Sequence, residues 1–288
     1  YRVALGLDLY QREQLASSYV SYNSKTFGFS PRLGFQLRED LNLQLRYSIS
    51  RTEITLPYYR QNCQNNYGLS YFLTPAFING GGATTSGGTP PLTGTAYQGP
   101  FNSAIGGNNC YVDGEASLAV RKELASGPVL TSALGYSLAY NTLDNNKNPT
   151  TGLLAVINQD YAGVGGDVNY LKTTADLKMY SPIVSDVVGV LHLQGGWLAK
   201  TGSDIRMLDH FQMGPNLVRG FAPAGIGPRD ITSYYFTGYG DALGGTKYWG
   251  ASAELQMPFW FLPKEVGLKG ALFADAGSLW GYEGPTSW

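Results

Sequence analysis

The chain opens on strict alternation: Tyr1, Val3, Leu5, Leu7 and Leu9 fall on one side of an extended backbone, and Arg2, Ala4, Gly6, Asp8 and Tyr10 on the other. Successive strand side chains point to opposite faces, so this period of two predicts a β-strand. The pattern returns in "FGFSPRLGFQL", where Phe27, Phe29, Leu33, Phe35 and Leu37 oppose Gly28, Ser30, Arg32, Gly34 and Gln36. It returns again in "LNLQLRYSIS", where Leu41, Leu43, Leu45, Tyr47 and Ile49 oppose Asn42, Gln44, Arg46, Ser48 and Ser50. Further strands are predicted near 129–142, 152–160, 167–181, 187–200, 247–258 and 266–277, about nine in all.

Most of these runs reach ten residues or more, past the roughly 5–6 usual in soluble sheets and matching the roughly 9–11 that cross a bilayer at a tilt. A soluble sandwich shares the periodicity but turns its apolar face inward, whereas a membrane barrel turns it to lipid. Length therefore favours an all-β, transmembrane antiparallel barrel. Connections at 38–41, 182–186 and 259–264 are short, and those at 13–26, 57–128 and 201–246 are long. Barrels of this type keep short turns in the periplasm and long loops outside. Keeping that alternation makes "GEASLAVRKELASG", residues 114–127, a short helix within the long 57–128 loop rather than a spanning strand, in keeping with its Ala, Leu, Glu and Lys content.

Composition sharpens the membrane reading. Only 14% of the 288 residues are charged, while 13% are aromatic, including 21 Tyr and 5 Trp; soluble domains carry roughly 25% charged residues. A net charge of −1 gives no electrostatic footprint for nucleic acid. No run of about 18 apolar residues marks a spanning helix. No leader precedes Tyr1, which suggests a piece of a longer protein. Cys63 and Cys110 both fall in the Gly-rich 57–128 loop, where a disulfide is expected, free thiols being the alternative. These cysteines and His192 and His210 lack metal-ligand spacing, and His192 lies on the polar face of its strand. No nucleophile elbow, zinc-protease helix or phosphate loop is present, so no enzyme and no cofactor is expected.

One stretch stands apart. "NLVRGFAPAGIGPRD", residues 216–230, sets an Arg among apolar residues in a Gly/Pro-rich loop. "VRGF" at 218–221, followed by "GGTKYWGASAELQMPF" and "LFADAGSLW" and preceded by "TSALGYSLAYNTLDN" with its turn "NPTTG", resembles the C-terminal barrel of the BamA family of outer-membrane protein assembly factors. The resemblance covers essentially the whole chain. It implies that the 201–246 loop folds back into the barrel, with Val218, Arg219, Gly220 and Phe221 as its anchor and Glu254 and Asp275 as acidic partners on the lumen face. Parity agrees: Glu254 shares a face with Gly250, Ser252 and Gln256, and Asp275 with Lys269, Ala271 and Phe273. Val218 and Phe221 are expected to pack on the wall, while Gly220, Gly225 and Gly227 permit tight turns.

The resemblance further implies a sixteen-stranded barrel, of which this chain aligns with about the fifth to the thirteenth strand, with periplasmic repeats upstream and the seam strands elsewhere. The expected function is non-enzymatic assembly and insertion of β-barrel proteins in the outer membrane of a Gram-negative bacterium, by offering an openable edge to client strands. The expected partners are outer-membrane lipid, unfolded barrel clients and accessory periplasmic lipoproteins. A two-partner secretion barrel and a passive porin are the alternatives at this stage.

Overall fold

The computed structural model describes residues 3–17, 19–57, 117–184, 186–202, 204–230, 240–259 and 268–283, together with the backbone of 101–102 and 110–111. Nine long strands form one antiparallel sheet in sequential order: β1 (Val3–Gln14), β2 (Asn23–Gln36), β3 (Leu41–Thr55), β4 (Val129–Asn141), β5 (Gly152–Ala162), β6 (Tyr170–Val184), β7 (Val187–Lys200), β8 (Lys247–Pro258) and β9 (Lys269–Trp280). Each neighbouring pair is joined in sequence, so the sheet is a simple meander with no crossover.

Several strands run past the expected limits. The β1–β2 connection shrinks from 13–26 to residues 15–22 because Gln11–Gln14 stay paired with Ser24–Phe27. A ladder need not stop at the membrane surface, since backbone bonds remain useful in water. β6 continues through Pro182, where a register shift between Pro182 and Val184 accommodates the missing N–H. The 114–127 segment forms helix α1 (Leu118–Ser126), capped by Ser117, whose Oγ accepts the Val120 N–H, and ended by Gly127 at φ 66°. Cys63 lies outside the described residues, and of Cys110 only the backbone is described, in a two-residue pairing with Phe101–Asn102.

The two faces of the sheet differ as the alternation requires. On one, Leu5 (80% exposed), Leu9 (68%) and Leu272 (65%) stand uncovered among many other apolar side chains. A continuous apolar wall of this extent marks a surface made for hydrocarbon. Register carries Arg46, Asp160, Asp176, His192 and Glu254 to the opposite face. There Arg46 holds Asp160 with Nε at 2.8 Å, and His192 Nε2 lies 3.0 Å from Asp176 Oδ2. This is the lumen face.

The buried apolar groups lie inside the sheet and at its long-loop end. One cluster joins Ala133, Tyr170, Leu198 and Leu279 of the strands to Ile205, Phe211, Met213 and Val218 of the 201–246 connection. The loop therefore packs on the lumen wall. A second cluster joins Ile54 and Leu56 at the end of β3, Ala119 and Val120 of α1, and Met207 and Leu243. It forms a dome core over the strands.

Candidate functional site: the loop anchored in the lumen

Residues 213–226 form a closed loop. Met213 and Ile226 pair as an antiparallel bridge, the Leu217 and Val218 N–H groups both donate to the Gly214 carbonyl at 3.1 Å, and the Gly225 N–H donates to the Ala222 carbonyl at 2.8 Å. Arg229 braces it, donating through Nη2 to the Ala224 carbonyl at 2.6 Å. The loop thus holds its tip in a set geometry before any side chain touches the wall.

The wall is shaped to receive it. Gly250 of β8 and Gly277 of β9 are directly opposite partners on the lumen face. A Cβ on Gly250 would lie 3.0 Å from Leu217 Cδ2, and one on Gly277 would overlap Met213 and reach 3.1 Å from Val218 Cγ2. The absent side chains leave a hollow that Met213 (1% exposed) and Val218 (5%) fill.

Arg219 follows on the loop and meets four wall residues. Its Nε and backbone N–H donate to Asp275 Oδ2 at 2.7 and 3.0 Å, and Nη2 donates to Asp275 Oδ1 at 2.8 Å. Nη1 donates to Glu254 Oε2 at 2.6 Å and Nη2 to Ser252 Oγ at 2.9 Å. The guanidinium carbon lies 3.5 Å from the Phe273 ring centroid, within cation–π range. Gln256 Nε2 donates to the other Glu254 oxygen at 2.9 Å. Asp275 and then Glu254 hold the Arg219 proton and raise its pKa. The forked, planar geometry matches two carboxylates in a way an ammonium does not.

The structure brings Arg219, Glu254 and Asp275 together. The sequence did not single out Ser252 or the Arg219 backbone N–H, although Ser252 shares the parity of Glu254; Phe273 was placed on the correct face without a role. One expectation needs correction. Phe221 does not pack on the wall and is 50% exposed, because Gly220 at φ 89° reverses the chain immediately after Arg219 and carries Phe221 outward. Its expected packing is supplied by Met213, Leu217 and Val218. Gly225 serves the tight turn, since a Cβ there would lie 2.6 Å from the Ala222 carbonyl oxygen, while the left-handed residue beside it is Ala224 at φ 50°. The network is also only partly enclosed: the Asp275 side chain is 4% exposed, but that of Arg219 is 37%.

Two further polar ties join the loops. Glu123 of α1 accepts from Arg206 Nε at 2.7 Å and from the Met207 N–H at 3.1 Å, with its side chain 4% exposed. Ser21, in the β1–β2 connection, donates its N–H and hydroxyl to Asp241 at 2.9 and 2.6 Å. Nearby, burial pushes the Asp209 carboxyl up to about 6 and lowers the His210 imidazole. Among the described residues no group of three His, Cys, Asp or Glu could hold a metal ion.

Comparison with known proteins adds an independent line. The Omp85 superfamily domain matches residues 1–288. The chain is 35% identical over 171 residues to the Sorting and assembly machinery component 50 homolog of Bos taurus, covering 57% of this chain and 34% of that protein. It is 33% identical over 174 residues to the Outer membrane protein assembly factor BamA of Neorickettsia risticii, covering 60% of this chain and 22% of that one. It thus spans no more than about a third of either relative's length. The crystal structure of BamA from Haemophilus ducreyi lacking POTRA domains 1-3 has the same fold, with a TM-score of 0.66 at 21% identity over 97% of this chain and 47% of that one.

Proposed function

Because the chain belongs to the Omp85 superfamily, we propose that it is the lumen-anchoring part of an outer-membrane barrel that assembles and inserts other β-barrel proteins. The carrying observation is the Arg219 tip seated on β8 and β9 through Asp275, Glu254 and Ser252. The physical logic concerns unpaired backbone. A client strand entering hydrocarbon with free N–H and C=O groups loses several kcal/mol per group, roughly, so it must pair before it meets lipid. A barrel that opens along an edge supplies that pairing by β-augmentation. The anchor ties the dome and loop to the wall while such an edge moves. On this reading the Val218–Phe221 motif with Glu254 and Asp275 is the loop anchor, no catalytic group takes part, and unfolded clients and accessory periplasmic lipoproteins are the partners.

Strands completing a larger barrel and periplasmic repeats belong to the same proposal. A match to the outer membrane protein assembly factor BamA of Neorickettsia risticii supports a Gram-negative outer membrane, and a match of similar identity to the Sorting and assembly machinery component 50 homolog of Bos taurus makes an animal source the alternative; envelope fractionation of the source cells decides between them. A passive pore is disfavoured because Ile205–Val218 fills part of the lumen with a packed apolar cluster. Proteoliposomes bearing the complete protein should accelerate folding of a urea-denatured outer-membrane barrel. No acceleration, together with a steady large single-channel conductance, would replace assembly by passive permeation.

A further inference from the structure

The outward face carries a row of residues that the anchor does not use. Register sets Tyr136, Gln159, Thr173, Trp197, Lys247 and Trp280 side by side, each opposite the next, from β4 to β9. Their parity is opposite to that of Asp160, Asp176, Gln194 and Leu279, so they point away from the lumen. At the β7–β9 end the row reaches the rim from which the 201–246 loop emerges. Trp197 is 58% exposed and Trp280 44%. Gln159 Nε2 donates to Thr173 Oγ1 at 3.0 Å, satisfying polar groups that would otherwise face lipid alone.

Lys247 stands between two indoles. Directly opposite residues on antiparallel strands place Cβ atoms about 4.5–5.5 Å apart, so Trp197 and Trp280 flank the Lys247 stem on both sides. Among the described residues no carboxylate pairs with Lys247. Below it along β8 and β7, on the same face, run Ala251, Ala253, Leu255, Leu193 and Leu191. The site therefore joins an unpaired cation at the water end to an apolar wall at the other.

We propose that Trp197, Lys247 and Trp280 seat the headgroup phosphate of an anionic lipid in the leaflet at the long-loop end. The ammonium meets the phosphate, and the indoles lie at the boundary where their N–H groups reach water and their rings reach acyl chain. Charge complementarity selects an anion. The apolar wall beneath selects one that carries acyl chains, which distinguishes a lipid from free phosphate.

The test uses the complete protein in phosphatidylcholine bilayers containing equal mole fractions of either brominated phosphatidylglycerol or brominated phosphatidylcholine. Quenching assigned to Trp197 is the difference between the protein and its Trp197→Phe variant. Quenching by the anionic lipid should exceed that by the zwitterionic one about fivefold, the effect of one basic residue near an anionic surface. Lys247→Gln should abolish the preference while leaving zwitterionic quenching intact, and Lys247→Arg should retain it. The proposal is overturned if the wild type shows no preference, if the preference survives Lys247→Gln, or if inorganic phosphate in the buffer abolishes it. It is also overturned if Lys25→Gln, which removes another exposed outward lysine at the same rim, lowers it equally, since bulk surface charge would then suffice.

Discussion

Arg219 places four of its donor groups, counting the backbone N–H, on two carboxylates and spends a further Nη2 contact on Ser252. Removing it leaves Asp275, almost fully enclosed, beside Glu254 with no counter-charge. Arg219→Ala should therefore release the loop, raising protease cleavage within 213–227 and lowering client assembly while the strand ladders keep the barrel formed. Arg219→Lys should restore both only in part, because a point charge cannot serve two carboxylates and Ser252 at once. Wild-type loop protection and assembly in Arg219→Ala would remove the anchor from the mechanism. Gly277→Val probes the same contact from the wall. Its side chain would displace Met213 and Val218, and loop protection should fall although every charged partner remains.

Among the elements, α1 and the 201–246 connection are held together by a tie that is more deeply buried than the anchor. Glu123 is 4% and Arg206 14% exposed in their side chains, and loss of one partner of a buried pair costs about 3–5 kcal/mol. Glu123→Ala should speed hydrogen exchange in 118–126 and 205–209, leaving exchange in β8 and β9 unchanged; faster exchange throughout the sheet would show that the dome is no separate unit. The same connection should respond to pH. Burial raises the Asp209 carboxyl to about 6 from 3.8, so the docked state holds the proton more tightly than the released one. Its contribution is fully present below about pH 4 and is lost as pH rises through about 6. Burial lowers the His210 pKa, and that contribution acts in the opposite sense, weakening docking as pH falls below the ordinary imidazole range. Between pH 4 and 6 the two groups act against each other, so in Asp209→Asn, where the His210 limb acts alone, cleavage of the connection by an acid-tolerant protease should rise more steeply as pH falls than it does in the wild type.

Over the whole molecule, the sheet separates two solvents. Leu5, Phe35 and Leu45 share the outward parity, while Gln44 and Arg46 share the parity of the lumen. Nitroxide labels at Leu5, Phe35 and Leu45 in the reconstituted protein should be relaxed by oxygen dissolved in the bilayer, and a label at Gln44 by a water-soluble nickel complex. Water contact at the three odd positions would invert the faces. The loops act at the same scale. Tyr22, the end of β3, α1, Met207 and Leu243 share one apolar cluster, and Ser21–Asp241 crosses 220 residues to close it. The dome is thus assembled from segments far apart in the chain.

What the sequence determined by itself was the strand content, the outward and inward sets of side chains, the helical reading of 114–127 and the facing of Glu254 and Asp275. These follow from a period of two, from the alternation of short and long connections and from helix-forming composition, which need no knowledge of distant partners. The pairing of Arg219 with its acids was legible only through the resemblance, since a lone Arg in a Gly/Pro loop reads equally well as solvated. Tertiary structure alone decided the rest. Gly250 and Gly277 become a receiving hollow only when register sets them opposite each other, and Phe221 turns away because the backbone at Gly220 is left-handed. Glu123 finds Arg206 across 83 residues. Such contacts depend on where loops meet after the sheet has formed, and the alternation that builds a strand carries no record of that meeting.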